Sequence, residues 1–247
     1  ILIMFLKITY TLWRSWLWIT VLFGLITFAP IGVFLVSFER TYPFFHLFCK
    51  WWCRIVLVLN GFWYNLKLTH KINDIQSCII CPNHTSKLDI ILLFAVFPKT
   101  FVFIGKKGVS KFSFFEWFYN KTMITFDRES VASSFQAYRK ADKLLKSGVS
   151  IVIFPEGKVP DRRIRLEKFK LGAFKLAIHN QVPIIPVTFV DNKSKYPEDN
   201  LKFKLGLLRV FIHKPISTNR LKSESAYNLS EQVFSTIDNT LVNYENR

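Results

Sequence analysis

Apolar residues are unevenly distributed along the chain. Residues 15–38 form a run of 24 without one charged side chain, between Arg14 and Glu39. As one straight helix the run would measure roughly 36 Å, enough to cross a hydrocarbon core of about 30 Å. Pro30, with Gly24 and Gly32 near it, predicts a kink or break there. A second apolar stretch covers 44–64, and its charges, Lys50 and Arg54, are four apart on one helical face. Trp13, Trp16, Trp18, Trp51, Trp52 and Trp63 fall in this region, and Trp favours the membrane–water interface. Residues 1–64 therefore read as a two-helix membrane anchor. It is either a transmembrane hairpin or a pair of helices lying in one leaflet. Basic residues on both sides of the first stretch and the break at Pro30 favour the second form. Lys7, Arg14, Arg40, Lys50 and Arg54 would then face lipid headgroups. A cleaved signal peptide is not expected, because the charge-free run is too long and no A-x-A site follows. The chain begins at Ile1 rather than Met, as it would if a few residues preceded it.

After residue 64 the pattern changes to short apolar runs alternating with amphipathic segments. Strands are predicted over 62–70 and 77–82, around a turn at Ile72-Asn73-Asp74. A helix over 85–97, a strand over 100–105, a helix over 111–120 and a strand over 123–126 follow. Residues 130–147 make an amphipathic helix, with Ser130 as N-cap, Gly148 as its stop, and Val131, Phe135, Tyr138, Ala141 and Leu145 as one apolar stripe. Then come a strand over 149–154, a helix over 171–179, strands over 183–190 and 207–213, and a terminal helix over 225–244. Strands alternating with helices imply that residues 65–247 form one α/β domain, a mainly parallel twisted sheet flanked by helices.

Charge narrows the partners. The 247 residues carry 34 Lys and Arg against 17 Asp and Glu, a formal charge of +17, yet half of them are hydrophobic. A disordered basic tail is excluded, since it combines charge with low hydrophobicity. Such a field attracts anions, including anionic headgroups, phosphorylated substrates and acidic carriers. The apolar N-terminal region disfavours nucleic acid. The four cysteines, Cys49, Cys53, Cys78 and Cys81, are too few for a disulfide scaffold. Cys78 and Cys81 lie three apart in a predicted strand and so face opposite sides, which argues against zinc and for reduced, buried thiols. No metal site is expected.

Polar residues at the ends of predicted strands carry the candidate chemistry, because ligand sites in open α/β sheets gather outside the carboxyl ends of strands. Asn83-His84-Thr85-Ser86-Lys87-Leu88-Asp89 begins where a strand gives way to a helix. A His there can serve as general base, and a carboxylate one helical turn on can hold its second ring nitrogen. Taken alone, the same residues also suit a helix cap and a solvated charge. Phe154-Pro155-Glu156-Gly157-Lys158 follows another apolar strand, and Gly157 permits close ligand approach or an unusual backbone angle. Thr125-Phe126-Asp127-Arg128 ends a third, where Arg offers fork geometry to a phosphate. Val182-Pro183-Ile184-Ile185-Pro186-Val187 bears no reactive group and suits a core or a tunnel wall.

In this order and spacing the four segments resemble the blocks of the glycerolipid acyltransferase family, the bacterial 1-acylglycerol-3-phosphate acyltransferases in particular. Those blocks are N-H-x4-D, a segment ending in (I/F)-D-R, F-P-E-G, and an apolar I-I-P-V. Phe103-Ile104-Gly105-Lys106-Lys107 and Phe169-Lys170-Leu171-Gly172-Ala173-Phe174 resemble two further family stretches. The resemblance implies acyl transfer from acyl-CoA or acyl-ACP to the sn-2 hydroxyl of 1-acylglycerol 3-phosphate, with no other cofactor. His84 would be the base and Asp89 its orienting partner. Asn83, Lys106, Arg128, Glu156, Gly157 and Lys158 would form the substrate site. Direct attack without an acyl-enzyme is implied, so Thr85 and Ser86 are capping residues and not nucleophiles.

One departure bears on the acceptor. Where the family shows Thr-Arg-Ser after F-P-E-G, this chain has Lys158-Val159-Pro160. Lys158 or the group Arg162, Arg163 and Arg165 would have to replace the missing Arg. Another lysolipid, such as a lyso-ornithine lipid, is therefore the alternative acceptor. A non-enzymatic basic membrane-binding protein is the alternative from another class. The expected location is the cytoplasmic face of a membrane, held by the N-terminal helices, with membrane lipids as partners.

Overall fold

The structure, a computed structural model, describes residues 2–72, 74–107, 113–127, 129–161, 163–197 and 204–245. The apolar N-terminal region folds as α1 (Leu2–Thr27), α2 (Ala29–Ser37) and α3 (Tyr42–Leu59). The chain bends by 66° between α1 and α2. Pro30 lies in the first turn of α2, where a missing N–H costs nothing. No single helix among the described residues is long and apolar enough to cross a membrane, although the bent pair is so in combination. Gly24 lets α1 approach α3 closely, since a Cβ there would run into the Trp52 indole. Large apolar side chains on these helices remain exposed, among them Phe5, Leu12, Phe23, Phe34, Phe44 and Trp51.

Three of the basic residues expected to face headgroups instead face the protein. The helix α4 (Leu88–Val96) packs against α3. Arg54 Nε donates to Ala95 O at 2.9 Å, and Lys50 Nζ to Phe97 O at 3.2 Å. Both cations therefore satisfy carbonyls at the C-terminal end of α4, where the helix dipole favours positive charge. Arg14 lies over the Tyr196 ring at 4.1 Å and donates to Pro197 O. Lys7 and Arg40 are exposed.

The rest of the chain runs β1 (Phe62–Leu68), β2 (Ile79–Pro82), α4, β3 (Phe101–Lys106), α5 (Ser113–Thr122), β4 (Ile124–Phe126), α6 (Val131–Lys146), β5 (Ser150–Val152), α7 (Gly172–Asn180), β6 (Ile184–Phe189), α8 (Asn192–Lys195), β7 (Gly206–Ile212) and α9 (Ala226–Glu245). The strands form one sheet in the order β1-β7-β6-β2-β5-β3-β4. Every pairing is parallel except β6 with β7. This is the mixed α/β fold expected, with a mostly parallel sheet flanked by helices. One face carries a core layer with Leu17, Leu57, Leu92 and Ile80, and the other a layer with Ala141, Phe174, Ile237 and Ile79. Cys78 belongs to the first layer and Cys81 to the second, and burial pushes the Cys78 thiol up to about 11.

The topology adds one point to the expected strands, and one local expectation is corrected. β1 and β2 flank a turn in sequence but are not neighbours, since β7 and β6 lie between them. Their burial explains this: β1 alternates and sits at the sheet edge, whereas all four residues of β2 are buried, as a central strand requires. The α6 stripe is only partly buried. Ser130 caps the helix through Ser133 N–H, and Ala137, Ala141 and Leu145 are buried. Val131 and Phe135 are 87% and 61% exposed, because the helix meets the core only from Ala137 onward.

Candidate active site

The topology explains why distant motifs meet. β2 is central, with β5 parallel on one side and β6 parallel on the other. Adjacent parallel strands end on the same edge. Asn83-His84 after β2, Phe154–Lys158 after β5 and Asp191-Asn192 after β6 therefore converge, with Lys106 at the end of β3 next in order.

His84 Nδ1 lies 3.0 Å from Asp89 Oδ2, and Asp89 has no exposed surface. Helix α4 starts only at Leu88, later than the expected 85. The delay has a cause: Asp89 folds back and accepts from the main-chain N–H groups of Thr85 at 2.5 Å and Ser86 at 2.9 Å. Short polar side chains that capture local main-chain donors hold the backbone out of helix. Oδ1 accepts from Thr85 Oγ1 at 3.0 Å and from Asn192 Nδ2 at 2.7 Å. Ser86 Oγ accepts from the Leu88 N–H. Both hydroxyl residues thus serve the turn. A carboxylate is an acceptor only, so facing Nδ1 it holds the ring proton there and leaves the lone pair on Nε2. The imidazole also stacks on Phe154, with centroids 4.0 Å apart.

Glu156 supports the same turn from behind. Its Oε1 accepts from the His84 N–H at 2.6 Å and its Oε2 from the Glu167 N–H at 2.8 Å. Burial raises this carboxyl to about 7, against the lowering effect of those two hydrogen bonds. Asn83, expected at the substrate, is fully buried and braces β6: Oδ1 accepts from Phe189 N–H and Nδ2 donates to Phe189 O. Gly157 adopts φ +74°, and a Cβ there would meet Lys170 Cε at 3.0 Å.

A cavity of about 640 Å³ opens beside this pair. His84, Lys106, Gly157, Lys158 and Lys170 line it together with a mostly apolar wall that includes Phe103, Met123, Ile153 and Leu176. Glu156 and Asn83 are not on that wall. Arg128 and Arg162 lie outside the described residues, and Arg165 is engaged by Asp238 on α9 at 2.7 Å. The motifs did not point to Lys170 as a site residue, although it stands in the quoted Phe169–Phe174 stretch. Asn192 carried no signal at all, being 103 residues from Asp89. Among the described residues no group of three or more His, Cys, Asp and Glu side chains is arranged to hold a metal ion.

A buried carboxylate holding a strand-end imidazole beside an apolar, lysine-bearing cavity defines a site suited to proton transfer on an amphipathic substrate. The family model described as Acyltransferase matches residues 65–190, and the chain belongs to that family. The chain is 31% identical over 141 residues to the chloroplastic 1-acyl-sn-glycerol-3-phosphate acyltransferase BAT2 of Brassica napus, covering 56% of this chain and 40% of that one. It is 30% identical to the 1-acyl-sn-glycerol-3-phosphate acyltransferase of Saccharomyces cerevisiae, over 66% of this chain and 55% of that one. For the human beta enzyme of that name the identity is 28%, over 69% and 62%. The chain thus spans about half the length of these curated relatives. The fold matches the crystal structure of the 1-acyl-sn-glycerophosphate (LPA) acyltransferase PlsC from Thermotoga maritima, with a TM-score of 0.81, 21% identity and 98% coverage of each chain.

Proposed function

We propose that this protein transfers an acyl chain from an acyl thioester, acyl-CoA or acyl-ACP, to the sn-2 hydroxyl of 1-acylglycerol 3-phosphate, giving phosphatidic acid. The observation that carries the reading is the 3.0 Å contact between His84 Nδ1 and the buried Asp89, at a cavity rich in apolar wall. The activity named for the relatives agrees with it.

His84 Nε2 takes the proton of the acceptor hydroxyl as its oxygen attacks the thioester carbonyl. The new C–O bond forms, the C–S bond breaks, and the thiol leaves with the proton returned from His84. Asp89 stabilises the imidazolium between these events, as the orienting carboxylate of a triad does. The apolar wall receives acyl chain. Lys106, Lys158 and Lys170, with Arg128 by resemblance, attract the phosphate. Glu156 and Gly157 shape the loop that carries Lys158.

The exposed apolar side chains of α1, α2 and α3 support docking in one leaflet, on the cytoplasmic face, where lipids supply the acceptor directly. A 66° bend suits helices lying within the interface. Attraction of the +17 chain to anionic lipid adds a second membrane signal.

A second acceptor reading has one specific support. The pocket cations among the described residues are lysines, and Val159 stands where the resemblance expects Arg. A lysolipid without a terminal phosphate then becomes a competitor. A panel of lysolipids assayed with one labelled thioester separates the two. Preference for 1-acylglycerol 3-phosphate supports the first, and preference for a lyso-ornithine lipid or another lysophospholipid supports the second. Membrane binding without transfer to any acceptor returns the non-enzymatic alternative.

A further inference from the structure

Asp89 collects five donors, and four of them come from within its own turn: His84 Nδ1, Thr85 N–H, Thr85 Oγ1 and Ser86 N–H. The fifth is Asn192 Nδ2 at 2.7 Å, from the start of α8. Asn192 is fully buried, and its Oδ1 has no hydrogen-bond partner among the described residues. Its NH2 meets a buried carboxylate oxygen directly, a charge-assisted bond between two groups that are both fully buried. The bond is reinforced from the other direction, since Asn83 on the His84 turn grips Phe189 at both its N–H and its carbonyl. Two side-chain amides therefore clamp the His84–Asp89 turn to the segment that leaves β6. Neighbouring Asp191 is tied in turn to Arg209 on β7, through main-chain and side-chain bonds of 2.6–2.9 Å.

We propose that Asn192 is a positioning residue for the reaction, fixing the Asp89 carboxylate so that Oδ2 stays on His84 Nδ1. It rests on the reading of His84 and Asp89 as the proton-transferring pair. Without the amide, Oδ1 keeps only its bond from Thr85 Oγ1, and the carboxylate is held less firmly against turning about its Cβ–Cγ bond. The substrate cavity does not include Asn192, so the effect falls on kcat and not on KM.

The test uses the full chain in detergent micelles with lysolipid acceptor and acyl-CoA. Asn192→Asp keeps the shape and replaces the donor with an acceptor, and Asn192→Ala removes the group. Ser194→Ala is the control, because it loosens the same short helix by deleting the Ser194 Oγ bond to Asp191 O without touching Asp89. Both Asn192 variants are expected to lose about 10- to 100-fold in kcat, the scale of one hydrogen bond to a charged group, with KM values within about twofold. Ser194→Ala keeps its kcat. Proton NMR supplies a readout independent of turnover. The low-field Nδ1–H signal, assigned by its absence in His84→Gln, should shift or vanish in both Asn192 variants and persist in Ser194→Ala. Unchanged kcat with an unchanged signal overturns the proposal, as does a loss that Ser194→Ala reproduces. A wild-type protein with the signal but no acyl transfer defeats the proposed activity, while a signal altered by Asn192→Asp still upholds the positioning role.

Discussion

Glu156 reaches His84 through the main chain and not through the imidazole: Oε1 accepts the His84 N–H at 2.6 Å, while Oε2 holds Glu167 N–H. The carboxylate therefore joins the turn after β2 to the loop after β5 and stays off the cavity wall.

That placement has a pH consequence. Burial raises the Glu156 pKa from 4.5 to about 7, so between those values the folded protein binds more protons than the unfolded chain. Stability from this group is fully present below about 4.5 and is lost as pH rises through about 7, a change of about 3 kcal/mol. Glu156→Gln abolishes the titration. Thermal unfolding at pH 5 and pH 8 should show a smaller pH-dependent fall in the variant than in wild type. Equal falls contradict the placement. The variant should also lose about tenfold in kcat, since its NH2 confronts one of the two main-chain donors.

Asp89→Asn keeps the size of the side chain but removes the charge that fixes the imidazole. Turnover should fall on the order of 10³- to 10⁴-fold, as for the equivalent change in a triad. Binding to vesicles, measured by flotation, should be unchanged. Retained turnover removes Asp89 from the mechanism.

Arg54→Met tests whether the basic face of α3 serves the protein or the lipid. Loss of the bond to Ala95 O should lower stability by about 1 kcal/mol, read as a lower Tm, with vesicle affinity little altered. Weakened vesicle binding at unchanged Tm would return Arg54 to the headgroups.

Gly24→Ala places a methyl group into the Trp52 indole. The α1–α3 contact should lose about 1–3 kcal/mol, and Gly24→Ala with Trp52→Leu should recover part of it. A Tm equal to wild type in the single variant contradicts the packing.

The strands and their polar ends were legible because the sheet core is nearly pure apolar sequence broken by short motifs. His84, Asp89, Lys106, Gly157 and Lys158 all fall where those breaks occur. What stayed hidden depends on long-range packing. Lys50 and Arg54 share a face by periodicity, but only the neighbouring helix α4 decides that the face points inward. Val131 and Phe135 continue an apolar stripe beyond the length of the core it meets. Asn83 and Asn192 are polar residues whose partners lie 106 and 103 positions away, a relation that follows only from β6 lying beside β2.

In the proposed reaction His84 moves the proton that makes acyl transfer possible. The most direct measurement follows labelled acyl thioester and 1-acylglycerol 3-phosphate with the purified protein and with His84→Ala. Wild type should form phosphatidic acid, and the variant should form none above the uncatalysed rate while still binding membranes. Transfer by His84→Ala at the wild-type rate would contradict a proton-transferring role for His84.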